Sequence, residues 1–275
     1  VNVPVAAASA ALVDDDGLAG GNAASVTGDA ADANADSDNN ESTFSGTLSF
    51  TAGGDTPVSV DFAKMDGETG AAVGQETVAY SWSSGTGVLT ATIDDGGARN
   101  GTVLFTVTIT DAATGAYKVA LLDNVIHAVV ADENDATAVL TFTVTDNDNS
   151  TSDADLTVTF DDDAPSAFTP ATLHLTDNPT TPNSETGTLN FVSGADGVDS
   201  VKFTFNEGDQ ATDKDGNHIC FIDSGGVEHP LYLHYGNGGT DYTLLEARTS
   251  QTSGSGDLAF SIDINPQANT FTLLT

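Results

Sequence analysis

The chain has 275 residues and carries 41 Asp and Glu against 6 Lys and Arg, a formal net charge of -35 at pH 7. A field so negative excludes binding to a nucleic-acid backbone or an anionic membrane face by charge attraction, and leaves cations and neutral surfaces as partners. Hydrophobic residues make up 39% of the chain and fall in alternating runs, which separates it from acidic disordered chains, and no apolar stretch of about 20 residues could span a bilayer.

In chain order, VNVPVAAASAAL (1–12) is like the apolar part of a signal peptide but lacks a basic leader and starts without Met, so a fragment of a longer protein is expected. VDDDG (13–17) sets Asp14, Asp15 and Asp16 in a row. GDAADANADSDNNES (28–42), with Asp29, Asp32, Asp36, Asp38 and Glu41, has no apolar period and marks an Asp-rich insertion at about 22–42, either ordered by ions or flexible. Alternation with period two then takes over in TFSGTLSF (43–50), GVLTATI (87–93), TVLFTVTIT (102–110), AYKVALL (116–122), AVLTFTVT (138–145) and DLTVTF (155–160). Each run is bounded by Gly, Asp, Asn or Pro and reads as a half-buried strand; in the third, Val103, Phe105, Val107 and Ile109 share one face. LLDNVIHAVVADEND (121–135) is the one segment suited to a short helix. Many short strands with turn-rich spacing favour an all-β chain of β-sandwich modules of the immunoglobulin or cadherin type.

An internal repeat sets the organisation. A shift of 141 places Gly46 on Gly187, Leu48 on Leu189, Phe50 on Phe191, Asp55 on Asp196, Val60 on Val201 and Phe62 on Phe203. LFTVTITDAATGAYKVALL (104–122) has its counterpart in AFSIDINPQANTFTLL (259–274). Two tandem modules are expected, 1–165 and 166–275, joined by a cation-binding linker. The second is a truncated copy that lacks the last two strands of the first, to be completed, if at all, from elsewhere in the parent protein.

The acidic clusters point to cation chemistry. In TFDDDAPSA (159–167), Asp161, Asp162 and Asp163 end a strand, and each like-charged pair repels by roughly 1 kcal/mol even in water. A hard cation of Ca²⁺ size takes six to eight oxygens at about 2.3–2.6 Å and would absorb that charge, with Pro165 stiffening the joint to the next module. Asp14, Asp15 and Asp16 are expected to hold a preceding module in a related way. In TDNDNSTSDAD (145–155), Asp146, Asp148, Asp153 and Asp155 bracket a hairpin-sized loop and form a further candidate site. Solvated linkers and ordinary turn residues are the competing reading of every one of these clusters.

The order ALVDDDGLAGGN (11–22), SGTLSFTAGGD (45–55), VLFTVTITDAATGAYKVALL (103–122) and FTVTDNDNSTSDADLTVTFDDDAP (142–165) resembles the long extender repeats of giant type I-secreted RTX adhesins of Gram-negative bacteria. That family shows an Asp-x-Asp-Gly loop, a final strand and an acidic linker with Pro, and this chain departs from it at Asn149, where the Gly is expected. The resemblance implies an extracellular, Ca²⁺-rigidified spacer at the bacterial cell surface, which projects an adhesive region for attachment or biofilm formation and has neighbouring repeat modules as its partners.

Catalysis is not expected, because no carboxylate pair stands out and neither G-x-S-x-G nor H-E-x-x-H occurs. His218, Cys220, His229 and His234 read as strand residues, with Cys220 as a small buried hydrophobe rather than a metal ligand. The rival to a spacer is a module that binds glycans or peptides through exposed rings, with Tyr80 and Trp82 in AYSWSSGTG (79–87) and Tyr232, Tyr235 and Tyr242 further on as candidates. A monomeric fragment is expected.

Overall fold

The computed structural model describes residues 3–19, 21, 41–127, 135–162, 168–174, 183–195, 197–198 and 200–275. They are mostly β, in keeping with the alternating runs, and the chain divides into two compact units: Val1–Ser166 with Val192–Gly197, and Ala167–Phe191 with Val198–Thr275.

The first unit contains β1 (Val5–Ala6), β2 (Ser9–Asp14), β3 (Thr43–Thr47), β4 (Phe50–Thr51), β5 (Ser59–Asp61), β6 (Thr69–Val73), β7 (Glu76–Ser83), β8 (Val88–Ile93), β9 (Val103–Asp111), β10 (Ala116–Leu121), β11 (Ala136–Thr145) and β12 (Thr151–Asp161). Six strands form one sheet in the order β3-β10-β9-β8-β7-β6 and four form another in the order β2-β12-β11-β5; β1 and β4 pair separately. Alternate residues of both sheets enter one apolar core: Leu89, Ala91, Phe105, Val107 and Val119 from the larger, Leu140, Phe142, Leu156, Val158 and Phe160 from the smaller. Phe105 and Phe160 meet with ring centroids 5.0 Å apart. Each of the Val, Leu and Phe side chains adds about 1.5–3 kcal/mol by leaving water, so this core holds the unit together.

One expected face changes at a bulge. Between Ala91 and Thr92 the β8–β9 register shifts, so Ala91 faces Phe105 while Thr92 faces Val103. The extra residue, Leu104, turns inward and is buried, and Val103 is exposed.

The second unit contains β13 (Ser184–Thr188), β14 (Cys220–Ile222), β15 (Glu228–Pro230), β16 (Tyr232–Tyr235), β17 (Asp241–Arg248), β18 (Leu258–Asn265) and β19 (Thr270–Leu274). Its main sheet runs β13-β19-β18-β17-β16, with β14 and β15 as a separate hairpin. This order matches β3-β10-β9-β8-β7 of the first unit strand for strand. Details recur as well. Gly46 faces Tyr117 and Gly187 faces Phe271, and in both cases a Cβ on the glycine would fall within 3.0 Å of that ring. The Leu48 N–H donates to Gly115 O at 2.9 Å and the Leu189 N–H to Asn269 O at 3.0 Å, with Gly115 and Asn269 both left-handed. The bulge after Ala91 has its equivalent after Ala247.

No counterpart of β11 or β12 is present among the described residues of the second unit. Its core is correspondingly thin, split into Leu189, Phe191 and Ile264 on one side and Ala211, Leu231 and Ala247 on the other. Cys220, expected inside, is exposed, because the hairpin that carries it lies outside the main sheet. Of the segment suited to a helix, residues 121–127 form none, and 128–134 lie outside the described residues.

Candidate metal centre

The hairpin between β11 and β12 folds on Asp146. The Asp146 N–H donates to Ser150 O at 3.0 Å, and the Asn149 N–H donates back to Asp146 O at 3.1 Å. Asp146 Oδ1 accepts from the N–H groups of Asp148 at 3.2 Å and Ser150 at 2.9 Å. Asp148 Oδ1 accepts from the Ser150 N–H at 3.0 Å and its hydroxyl at 2.6 Å. The turn needs a left-handed residue at position 149, and Asn149 supplies it with φ 65°. Asn adopts that conformation more readily than other non-glycine residues, so the loop closes without the expected Gly.

The loop gains a third carboxylate from elsewhere in the chain. The Asn147 N–H donates to Asp55 O at 3.3 Å, and the short β5 that follows Asp55 pairs with β11 up to Thr145, next to Asp146. Oxygens of Asp55, Asp146 and Asp148 then lie within 4.8 Å of one another. Ligand oxygens at about 2.3–2.6 Å from a Ca²⁺ ion span about 4.6–5.2 Å across its shell, so the three fit around one ion. Asp148 is exposed, but Asp146 is only 4% exposed and its Oδ2 is buried without a hydrogen-bond partner. An orphaned anionic oxygen beside two further carboxylates suits a divalent cation, with backbone carbonyls and water completing the shell.

The electrostatics follow from the burial. Loss of water around Asp146, then its neighbour Asp148, pushes the Asp146 carboxyl above its ordinary value. Hydrogen bonds from the Ser150 hydroxyl and N–H hold Asp148 below its own.

Loop shape alone does not make such a site. Asp213 Oδ1 accepts from the N–H groups of Asp215 and Asn217, and Asp223 Oδ1 from those of Gly225 and Val227, which repeats the Asp146 turn twice in the second unit. Among the described residues neither of these turns gathers three acidic groups; Asp55 makes the difference.

Two expected ligands of this loop belong elsewhere. β12 starts at Thr151, so Asp153 and Asp155 are strand residues rather than loop residues. Asp153 pairs with Lys64 and accepts from the Thr143 hydroxyl across the strands at 2.7 Å, and Asp155 accepts from the Thr141 hydroxyl at 2.8 Å. Asp55 was missed because its tie to the loop runs through strand pairing; its place in a turn just before β5 was the available signal.

Asp14 and Asp161, from clusters expected at two different joints, share one end of the first unit. β2 runs parallel to β12 with Asp14 opposite Asp161. Asp14, Asp15 and Asp161 are 4%, 1% and 0% exposed. Asp15 Oδ2 accepts from the Val125 N–H at 2.9 Å and lies 3.7 Å from His127 Nε2; Asp14 Oδ1 caps the turn that follows by accepting from the Asp16 N–H at 3.0 Å. Asp162 ends the described part of this cluster. Asp163, Asp29, Asp32, Asp36 and Asp38 lie outside the described residues.

The aromatic candidates separate by burial. Tyr80 is in the core, its ring 6.4 Å from Phe105, and burial pushes its phenol up to about 12. Tyr235 stacks on Phe205 at 4.1 Å and donates its hydroxyl to Phe205 O at 2.6 Å, so it is engaged within the fold; Tyr242 meets its edge at 4.7 Å. Tyr232 is half-buried on β16 opposite Arg248. Trp82 borders a cleft. His229 pairs with Asp223, and His234 with Glu207 and Ser250 O, so among the described residues the histidines and Cys220 do not converge. No family model matches the chain, and no curated protein matches it.

Proposed function

We propose that the chain is a Ca²⁺-stabilised extracellular spacer, made of tandem β-sandwich modules of a bacterial surface adhesin, which serves to project an adhesive region and performs no catalysis. The observation that carries this reading is the buried, unpartnered Oδ2 of Asp146 within one cation shell of Asp55 and Asp148. The parallel β2–β12 pairing supports it, since it sets Asp14 opposite Asp161 and gathers acidic residues of distant segments at one end of the first unit. So does the recurrence of one sheet in both units, the pattern of a chain built by repetition.

Function follows by linkage. An ion that binds only the folded unit stabilises it by RT ln(1 + [L]/Kd), about 2.7 kcal/mol at a hundredfold excess over Kd. Extracellular modules bind Ca²⁺ at about 10⁻⁴–10⁻³ M, so such a chain is loose where Ca²⁺ is scarce and locks where it is plentiful. Thermal melting in calcium chloride and in chelator is the test. The midpoint rises with Ca²⁺ on this reading, and an unchanged midpoint refutes it.

A further inference from the structure

Trp82 is the single tryptophan of the chain and sits on β7 opposite Leu89. It packs edge-on against the buried Phe62, with ring centroids 6.0 Å apart at 62°. Beyond that contact it is half-buried and lines a cleft of about 570 Å³. Asp61, Asp66, Ser59, Ser84 and Thr86 line the same cleft, and no residue of the described lining is basic.

Both carboxylates are held in place by the backbone. Asp61 Oδ1 accepts from the Ala63 N–H at 3.0 Å, and Asp66 Oδ1 accepts from the Trp82 N–H at 2.9 Å. One oxygen of each is thereby committed to the fold, and the other remains available as an acceptor.

The second unit shows what this sheet position does. Leu89 pairs with Trp82, and the equivalent Leu245 pairs with Tyr235. There Phe205 lies flat on the Tyr235 ring, with centroids 4.1 Å apart and planes within 19°. The position therefore presents a ring face for stacking. One unit covers it with its own phenylalanine; the other opens it to a cleft.

We propose that this cleft binds a neutral saccharide, with Trp82 as the stacking face and Asp61 and Asp66 as acceptors for its hydroxyls. A sugar ring combines an apolar C–H face with hydroxyl donors, which matches one indole beside two carboxylates and three hydroxyls. The volume falls within the usual range of about 300–1,000 Å³ for small-ligand sites. Other ligand classes fit less well. An anion meets two carboxylates and no base, and a purely apolar ligand would leave both carboxylates without donors. A quaternary cation is held by a cage of several rings, and here there is one. None of these residues belongs to the Asp55–Asp146–Asp148 set, so this proposal and the cation reading stand or fall separately.

The lone indole reports on its own site. The full chain is titrated with glucose, galactose, mannose, N-acetylglucosamine and maltose, in calcium chloride and in chelator, while the emission of Trp82 is followed and saturation-transfer NMR registers contact with the sugar protons. At least one sugar should shift the emission saturably. Asp61→Asn and Asp66→Asn keep the oxygen that caps the backbone, so they should preserve the thermal midpoint and weaken binding about tenfold each. Trp82→Phe should abolish saturation transfer. The proposal fails if no sugar gives a saturable response, if the asparagine variants bind as well as the parent, or if tetramethylammonium chloride shifts the emission and the sugars do not.

Discussion

Asp146 is the residue on which the cation reading turns, because its two oxygens do different work. Oδ1 builds the turn and Oδ2 is buried without a hydrogen-bond partner. Asp146→Asn keeps an oxygen for the turn and removes the charge. The variant should lose most of its Ca²⁺-dependent rise in midpoint, about 2.7 kcal/mol at a hundredfold excess of ion, and be no less stable than the parent in chelator, where the parent bears the cost of a buried charge. Paired melts of parent and variant in both buffers show whether the signs differ. Asp153 behaves in the opposite sense. Hydrogen bonds from Lys64 and then Thr143 hold its carboxyl below the usual value of 3.8. Since the folded value is the lower one, this stabilisation is present above the unfolded pKa and is lost as pH falls through the folded one. With Asp153 38% exposed, solvent screening limits the pair to at most about 1 kcal/mol. Lys64→Met should make the loss of stability below pH 3.8 shallower, as acid titration by circular dichroism can measure.

At the scale of elements, β2 matters most. It joins the smaller sheet through parallel pairing with β12, and the Tyr117 hydroxyl of β10 reaches across to Ala10 O at 3.1 Å, tying the two sheets together. In the second unit Phe271 stands at the position of Tyr117, and the described residues there include no strand equivalent to β2. The hydroxyl thus marks the unit that has a second sheet to hold. Tyr117→Phe should cost about 1 kcal/mol, the net value of one hydrogen bond, read as a lower urea midpoint with unchanged slope. Much of this level was legible in advance. The 141-residue shift, read from Gly46 and Gly187, lands β3 on β13 residue for residue. The β2–β12 pairing was not legible, since parallel partners far apart in sequence share no turn to announce them.

On the scale of the whole molecule, the same sheet is buried to different depths in the two units. Phe105, Val107, Tyr117 and Val119 are buried in the first, whereas Phe260, Ile262, Phe271 and Leu273 at equivalent positions are only half-buried. Stability scales with the apolar area removed from water, so the second unit should unfold first. In the melt with and without chelator the transition should therefore resolve into two. The later one, from the unit that holds Asp55, Asp146 and Asp148, should move with Ca²⁺, and the earlier one should stay in place.

By itself the amino-acid order determined the β class, through its period-two alternation, and the repeat, through glycines and aromatics at constant offset. Its net charge of -35 made cations the expected partners. Tertiary structure decided which carboxylates meet. Asp55 joins Asp146 and Asp148 while Asp153 and Asp155 turn to Thr143 and Thr141, and Tyr80 enters the core while Trp82, two residues on, reaches a cleft. The reason is physical. Periodicity and charge are properties of neighbours along the chain, whereas a cation shell or a stacking face needs atoms within a few ångströms, and here strand pairing between distant segments brings them there.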